Sequence, residues 1–483
     1  MSSNIQNGPQ TRRDFLHNAG STALGATLAS SLGVARAAGE KRPNLIFLFG
    51  EGQRADALSL AGNRILQTPN HDRIGKEGVT FRNAFVTNAL CAPARAVAMT
   101  GLYSHSTGQL GNKEAHTPIP ASIPIFTDLL HDAGYEVALC GKAHIGNGVR
   151  ERYWDYYFGF NAAATNYYHP KLQEGRNGKI GEPVVYSGYV DDLITDRALG
   201  WLKEKRDKPF CLLVWYQAPH APFYRARRHL DLYNGLPIPK PETFDDDLKG
   251  YPGKPRAFAN ADNKVGTTIL GNDDPRCVEE LVKDYYAGLV AVDENIGRLF
   301  DYLTESGQLD DTAILQSSDH GFFLGEWRMY DKRFMHEPSI RVPTMLRYPK
   351  LFPAGRVVDD MVLNLDIAPT LLELAGVKIP QAMQGRSLVK LAKGEETQWR
   401  KDWLYEYYDY PGAQQVLPHR GVRTGRYKLI HYYNAPEEFE LYDLEKDPGE
   451  RHNLHGDSKH AALTRQLRAR IDELRHETGD SKA

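Results

Sequence analysis

Five short apolar runs recur along the chain and constrain its fold more than any other feature. They cover residues 45–49, 137–140, 210–216, 313–316 and 344–346, and turn-forming residues bound them. Between them, segments such as 122–133 and 278–303 carry apolar residues at helical spacing and charged residues on the opposite face. This alternation predicts an α/β fold with a large, mostly parallel (mixed) sheet sandwiched by helices.

The pattern changes near residue 392. Residues 403–408, 421–424, 427–433 and 439–442 predict short strands joined by turns, and residues 461–476 predict a closing helix. We therefore predict a main domain over 39–391 and a smaller C-terminal subdomain over 392–483, built from an antiparallel sheet and a helix. Residues 235–276 are rich in Pro, Asp, Gly and Lys and are predicted to form a surface insertion.

The first 38 residues have the layout of an export signal. The pair Arg12-Arg13 precedes a mild apolar stretch over residues 19–34, and Ala35-Arg36-Ala37 provides the small residues of a cleavage site. This layout predicts a twin-arginine signal peptide over residues 1–38 and a periplasmic or secreted protein. The alternative, a membrane anchor, needs about 20 strongly apolar residues. The segment lacks them, so we expect no membrane anchor in the mature form.

Charge and cysteine content argue against two classes of protein. The formal net charge is -2, and removal of a signal peptide that carries +2 gives -4, so no basic field for a nucleic-acid partner is expected. Four cysteines in 483 residues are too few for a disulfide scaffold. Cys140 and Cys211 lie in apolar runs and are predicted to be buried free thiols.

Cys91 has a different setting. It begins the segment CAPAR, residues 91–95, and Thr100 and Gly101 follow. Pro93 suits the first turn of a helix and Gly101 suits its end, so Cys91 is predicted to lie at a helix N-terminus. Free N–H groups and the helix dipole lower a thiol pKa there and favour bound anions. The alternative is a packed cysteine beside a helix cap.

The pattern CxPxR followed by Thr-Gly resembles the signature of the sulfatase family, the formylglycine-dependent enzymes of the alkaline phosphatase superfamily. Further segments resemble that family's motifs in the family's order: NLIFLF at 44–49, GKAHIG at 141–146, APHAP at 218–222, SDHG at 318–321, DKRFM at 331–335, RTGRYKL at 423–429 and ELYDL at 440–444. The resemblance covers the chain from about residue 41 to 454. It implies an enzyme that hydrolyses sulfate esters.

Polar residues follow several of the apolar runs, which gives an independent reason to group the motifs. Glu51, Lys142, His220 and Asp319 each lie just past the end of a strand-like run. In open α/β sheets the ligand crevice lies outside the carboxyl ends of the strands, so these residues are expected to converge.

The resemblance implies how the reaction proceeds. A maturing enzyme converts Cys91 to formylglycine, one hydroxyl of the hydrated aldehyde attacks sulfur, and a covalent sulfo-enzyme intermediate forms. The other hydroxyl then expels sulfate. Arg95 and Lys142 hold the hydrate, and His144 accepts the proton during this elimination.

Two more side chains complete the implied catalytic set. His220 and Lys332 bind the sulfate, and His220 is the candidate general acid. Taken singly, each has an ordinary alternative, a surface position for a lysine and a cap or core position for a histidine. Their occurrence together favours the functional interpretation.

The resemblance also implies a divalent metal site, with calcium as the expected ion. The positions of this chain that match the family's ligands are Glu51, Asp319, His320 and the modified Cys91. Family members usually carry two aspartates where this chain has Glu51-Gly52. One usual carboxylate is therefore replaced by Gly52. We expect a weakened or altered calcium site, with another divalent ion as the alternative. Asp56 is a candidate for compensating the lost carboxylate.

The substrate wall is less well marked than the nucleophile. His336, His419 and Arg420 are candidates for it, and the aromatic-rich stretch 153–168 either packs sugar rings or forms a structural hairpin or surface cluster. Export and the motif set resemble those of bacterial sulfatases that act on sulfated glycans. Two alternatives remain: a phosphodiester or phosphonate monoester hydrolase of the same superfamily, and a glycan-binding pseudo-sulfatase without catalysis.

Overall fold

The computed structural model describes residues 41–113, 119–145, 148–246, 258, 276–396, 398–412 and 414–480. The predicted signal peptide, residues 1–38, lies outside these ranges, as do residues 247–257 and 259–275 of the predicted insertion. Within the ranges, no helix has the length and apolar character that crossing a membrane requires.

Seventeen strands form three sheets in the described part of the chain. In chain order they are β1 Asn44–Gly50, β2 Val79–Phe85, β3 Glu136–Lys142, β4 Tyr156–Phe160, β5 Lys171–Arg176, β6 Lys179–Ile180, β7 Val184–Val185, β8 Phe210–Trp215, β9 Thr312–Ser318, β10 Phe323–Leu324, β11 Tyr330–Asp331, β12 Met345–Arg347, β13 Arg356–Leu363, β14 Asp402–Tyr407, β15 His419–Thr424, β16 Tyr427–Tyr432 and β17 Glu438–Asp443.

The main sheet has eleven strands in the order β13-β2-β12-β9-β1-β8-β3-β4-β5-β6, and β7 pairs with β5. Its centre, from β9 through β1, β8 and β3 to β4, is parallel. β12 is antiparallel to both of its neighbours, and β5 is antiparallel to β4. The predicted mostly parallel, mixed sheet is confirmed.

Eleven α-helices lie within the described ranges. They are α1 Pro69–Lys76, α2 Cys91–Thr100, α3 Ser104–Thr107, α4 Phe126–Asp132, α5 Gly148–Glu151, α6 Val190–Leu202, α7 Arg276–Glu305, α8 Glu337–Ile340, α9 Ile367–Leu374, α10 Val389–Lys393 and α11 Ala461–Glu477. The central strand β1 shows why its sequence is a continuous apolar run. Leu45, Phe47 and Phe49 enter one buried cluster, whereas Ile46 and Leu48 enter a second cluster, because successive side chains of a strand point to opposite faces.

The C-terminal sheet is antiparallel, in the order β14-β15-β16-β17, and the closing helix α11 contacts it. This confirms the predicted small sheet with a helix. Leu45 of β1 and Leu474 of α11 belong to the same apolar cluster. The two sheets therefore share a core, although the boundary at 391 and 392 stays a prediction.

Buried side chains settle three smaller expectations. Cys140 and Cys211 are free and buried, as predicted. The predicted surface insertion contributes Phe244 and Phe258 to the interior, so its described residues are not all at the surface. In the stretch 153–168, six aromatic side chains are buried in the interior and do not form a surface cluster: Trp154, Tyr156, Tyr157, Phe158, Phe160 and Tyr167.

Candidate active site

The carboxyl ends of the central strands bring the predicted site residues together. Glu51 follows the last residue of β1, Lys142 is the last residue of β3, and Asp319 follows β9. Glu51 Oε2 lies 2.6 Å from Lys142 Nζ, and Glu51 Oε1 lies 3.8 Å from His220 Nε2, in the loop after β8. Neighbouring parallel strands end at one edge of the sheet, so residues far apart in sequence meet there.

Cys91 is the first residue of α2, which ends at Gly101 in a left-handed conformation with φ 66°. The buried thiol points at the strand ends: Sγ lies 3.3 Å from Glu51 Oε1 and 3.4 Å from His320 Nε2. Burial and the Glu51 carboxylate raise the thiol pKa, but the cations Lys142, Lys332 and His320 outweigh them and hold it well below its usual value. The site therefore stabilises negative charge at residue 91.

Arg95, one turn further along α2, is fully buried and joins the surrounding groups. Its Nε donates to Asp319 Oδ2 at 3.0 Å, one terminal nitrogen donates to Glu51 Oε2 at 2.8 Å, and the other donates to the Lys142 carbonyl at 2.7 Å. Arg95 and Lys142 thus neutralise the two buried carboxylates. The second oxygen of each carboxylate is turned toward other residues of the site: Glu51 Oε1 faces Cys91, and Asp319 Oδ1 faces His320.

Two histidines near Cys91 are set up differently. His144 has φ 46°, unusual for a residue other than glycine, and burial lowers its pKa to about 4, so its ring is neutral near pH 7. His220 Nδ1 lies 2.6 Å from the Ala221 carbonyl. A carbonyl only accepts, so Nδ1 carries the proton, and Nε2 faces Glu51. His144 can accept a proton, and His220 can donate one after protonation of Nε2.

Lys332 supplies a further cation. It is 6% exposed, and its Nζ lies 3.0 Å from Asp331 Oδ1. Burial lowers the lysine pKa, but the Asp331 carboxylate more than compensates and raises it above the usual value. Lys332 therefore stays charged. The sequence motif contained Asp331, but its supporting role was not predicted; the signal was its position directly before the lysine.

Four buried groups could hold a metal ion: ligand atoms of Glu51, Cys91, Asp319 and His320 lie within 4.8 Å of one another. Burial lowers the pKa of His320, but the Asp319 carboxylate outweighs it and raises the pKa to about 9, so the ring is a cation when no ion is bound. With a metal ion bound, His320 would keep only its Nδ1 proton, which faces the Gly321 carbonyl at 2.7 Å. Its Nε2 lone pair then faces the group, 3.4 Å from Asp319 Oδ1. Two carboxylate oxygens, an imidazole nitrogen and the side chain of residue 91 fit a divalent cation.

Gly52 lies directly beside the His320 imidazole. The glycine has φ +62°, and a Cβ there would lie 3.4 Å from His320 Cε1 and 3.3 Å from a ring carbon of Phe322. A side chain at position 52 would therefore be strained by the positive φ and would press on the Phe322 ring, close beside His320. Asp56 does not compensate for the missing carboxylate, because it is 65% exposed and pairs with Arg54 at 2.7 Å.

The predicted substrate wall needs correction. His336 and His419 are both 0% exposed and lie in the interior. His336 Nε2 lies 3.4 Å from the buried Glu440 carboxylate, and the His419 ring stacks on Phe334 at 6.1 Å. Nearness in sequence to a motif misled here, since it does not say which way a side chain points.

Arg420, the third predicted wall residue, lies next to His419 on β15 and therefore on the other face of the strand. It is only partly buried, and its guanidinium lies 4.2 Å from the centre of the Tyr433 ring. The structure does not bring Arg420 together with the groups around Cys91, and its role in substrate binding stays a prediction.

Comparison with known proteins identifies the family. The family model described as "Sulfatase" matches residues 43–377, well over half of the chain. This chain belongs to the sulfatase family. A second model, "N-sulphoglucosamine sulphohydrolase, C-terminal", matches residues 325–477 of the sulfatase. The protein is accordingly a sulfuric ester hydrolase.

The sulfatase has relatives over most of its length. It is 34% identical to an N-acetylglucosamine-6-O-sulfatase of Bacteroides thetaiotaomicron, over 91% of this chain and 88% of the relative. It is 29% identical to a multifunctional alkaline phosphatase superfamily protein of Trinickia caryophylli, over 88% of this chain and 93% of the relative. A solved structure of a protein in complex with its substrate D-glucosamine-2-N,6-O-disulfate matches with a TM-score of 0.83 and 34% identity, over 92% of this chain and 99% of that chain.

Proposed function

We propose that this sulfatase removes sulfate from sulfated carbohydrates with formylglycine, formed from Cys91, as its nucleophile. Two observations support the carbohydrate. The 34% identical relative is named for N-acetylglucosamine-6-O-sulfate, and the 34% identical structure carries a disulfated glucosamine. A sulfated glucosamine is therefore the first substrate to test.

The observation that carries the mechanism is the ring of charged groups around Cys91. Hydration of the formylglycine aldehyde places two hydroxyls where the thiol now lies, at the edge of the group formed by Glu51, Asp319 and His320. One hydroxyl attacks sulfur and gives a sulfated residue 91. Loss of a proton from the other hydroxyl then breaks the bond to sulfate and restores the aldehyde. His144, neutral at working pH, is placed to accept that proton.

The remaining side chains act on the sulfuryl group and the leaving alcohol. Lys332, held by Asp331, is a permanent cation for the sulfuryl oxygens. His220 Nε2 points into the site and, once protonated, delivers a proton to the alcohol oxygen as the ester bond breaks. Arg95 pairs with both carboxylates and so compensates their negative charge beside the nucleophile.

We further propose calcium as the ion for Glu51, Asp319, His320 and residue 91. Calcium accepts irregular oxygen shells, and a bound ion would add positive charge beside the sulfuryl oxygens. The group holds only two carboxylates, and Arg95 and Lys142 already neutralise them. A low charge count weakens calcium binding, so we expect a modest affinity and competition from other divalent ions.

Export completes the proposal. A twin-arginine signal over residues 1–38 would carry a folded protein to the periplasm or beyond. A cytoplasmic maturing enzyme could then act on Cys91 before export. A fusion of residues 1–38 to a reporter, with Arg12 and Arg13 both changed to Lys as the control, tests this: export must require the arginine pair.

The decisive experiment combines mass spectrometry of the Cys91 peptide with sulfate release. In protein co-produced with a maturing enzyme, the peptide that contains residue 91 should have the mass expected for formylglycine and not that expected for cysteine. The same protein should release sulfate from 6-O-sulfated glucosamine. Cys91→Ala is the matched control and should release none. Unmodified cysteine in a fully active protein would refute the nucleophile, and complete conversion with glycan binding but no release would establish a pseudo-sulfatase.

A second candidate reaction has an observation in its favour. The fold matches a phosphonate monoester hydrolase of Agrobacterium radiobacter with a TM-score of 0.73 at 23% identity, which shows a shared fold. The same nucleophile and cations suit a phosphoryl group. Rates on an aryl sulfate and an aryl phosphodiester with the same leaving group decide between them, and faster hydrolysis of the diester would overturn our proposal.

A further inference from the structure

Three buried tyrosines, none of them in the catalytic motifs, form hydrogen bonds with the main chain of the site loops. Tyr285 of α7 donates to the Gly52 carbonyl at 2.7 Å and accepts from the Arg54 N–H at 3.0 Å. Tyr167 donates to the His220 carbonyl at 2.6 Å. The third is Tyr405 of β14, and each of the three hydroxyls meets a loop that carries residues of the site.

Tyr405 differs from the other two because its hydroxyl contacts two loops at once. It donates to the Arg333 carbonyl at 2.5 Å and accepts from the Ala89 N–H at 3.2 Å. Ala89 lies two residues before Cys91, and Arg333 lies one residue after Lys332. One oxygen atom therefore joins the loop of the nucleophile to the loop of the sulfate-binding cation.

The surroundings of Tyr405 hold this oxygen in place. Tyr405 is 0% exposed on β14, and the next residue on that strand, Glu406, donates its N–H to the Thr87 carbonyl at 2.9 Å. The Tyr405 ring stacks on His419 with 5.4 Å between ring centres, and His419 stacks in turn on Phe334, in the Lys332 loop. The C-terminal sheet thus packs against both loops through ring contacts and hydrogen bonds.

We propose that Tyr405 is a positioning residue that fixes Lys332 relative to residue 91. It does not touch substrate; it acts through the main chain on either side of it. Loss of the hydroxyl would leave a buried N–H and a buried carbonyl with one partner fewer, and the two loops would move apart or admit water. A displacement near 1 Å at a reacting group costs about 100-fold in rate. The inference rests on the proposed function for its kinetic consequence, though not for its structural one.

The test is Tyr405→Phe, which removes only the hydroxyl. The matched control is Tyr135→Phe, because Tyr135 is also buried and donates to a main-chain carbonyl, that of Pro43, at the opposite end of β1. We expect similar small losses of thermal stability in the two variants. Sulfate release, measured as kcat/KM, should fall about 10- to 100-fold in Tyr405→Phe alone.

A double-mutant cycle separates positioning from general damage. If Tyr405 acts through Lys332, most of its effect should disappear in a Lys332→Met background, so the double variant should match Lys332→Met within a few-fold. The proposal would be overturned if Tyr405→Phe lowered kcat/KM by the same factor in the wild-type and Lys332→Met backgrounds. It would also be overturned if Tyr405→Phe were as active as Tyr135→Phe.

Hydrogen exchange of the unmodified protein provides a measurement that needs no catalysis. Peptides that cover residues 87–91 and 332–336 should both exchange faster in Tyr405→Phe and remain unchanged in Tyr135→Phe. If the wild-type enzyme releases no sulfate, the proposed function fails, and exchange still decides whether Tyr405 holds the two loops. Unchanged exchange in both peptides would refute the positioning role.

Discussion

Replacement of Arg95 by methionine removes the guanidinium that contacts both carboxylates of the candidate metal group. In the wild type, one Arg95 nitrogen lies 2.8 Å from Glu51 Oε2 and 2.9 Å from Asp319 Oδ2, and all three side chains are at most 1% exposed. Arg95→Met therefore removes the partner that the two buried carboxylates share, while Lys142 still pairs with Glu51 at 2.6 Å and His320 lies 3.4 Å from Asp319.

The size of the effect follows from this burial. Removal of one partner of a buried ion pair typically costs about 3–5 kcal/mol, because the remaining charge is left uncompensated. A dication that binds at the group would replace the lost positive charge. Calcium should therefore stabilise Arg95→Met more than the wild type, by a coupling of about 1–3 kcal/mol, which corresponds to roughly 5- to 150-fold tighter binding.

Urea unfolding of the unmodified protein, followed by tryptophan fluorescence with EGTA or with millimolar calcium, measures both quantities. Arg152→Met is the matched control. Arg152 is 8% exposed and pairs with Asp128 at 2.7 Å, away from the metal group. Its replacement should lower the free energy of unfolding by a similar amount, but calcium should not restore this stability. Equal calcium stabilisation of wild type and Arg95→Met, or an equal gain in Arg152→Met, would refute the reasoning.

Three further predictions concern the cation, the metal and pH. Lys332→Met should lower kcat/KM for sulfate release by about 10²–10³-fold, as loss of a charge-stabilising group does. EGTA should lower the free energy of unfolding of the matured enzyme by about 3 kcal/mol if calcium had been at 100 times Kd, and Glu51→Gln should abolish this response. Burial lowers the pKa of His419 to about 4, so below pH 6.5 the unfolded chain binds a proton that the folded chain does not. Stability should fall by about 2 kcal/mol from pH 7 to 5 on this account. In urea unfolding, His419→Phe should lack this part of the pH-dependent loss of stability, whereas His452→Gln, at an exposed position, should keep it.

Strand periodicity made the architecture predictable. The continuous apolar run of β1 is explained by a strand with both faces buried, and alternation in residues 403–442 marked the antiparallel sheet. The convergence of Glu51, Lys142 and Asp319 also followed from strand ends alone, because parallel neighbours terminate at one edge. Local pattern and a general rule of sheet topology sufficed for these features.

Side-chain direction and long-range contacts were not predictable in the same way. His419 and Arg420 are adjacent, yet the first is buried and the second only partly so, and the choice of face depends on how the small sheet docks. Tyr405 meets Ala89 across 316 positions of the chain. No spacing rule relates such distant residues, and a tyrosine in an apolar strand looks like any other core residue.

The shared apolar cluster of the two sheets has a consequence for how such an enzyme can change. Leu45 of β1 and Leu474 of α11 lie in one core, and the hydroxyl of Tyr405 on β14 meets the loops of Cys91 and Lys332. The unit that can be inherited or transplanted intact is therefore the whole chain from β1 to α11. A C-terminal sheet taken from another sulfatase would contact the loops of Cys91 and Lys332 differently and so shift residue 91. Substitutions in β14 and in the nucleophile loop must therefore be compatible with each other.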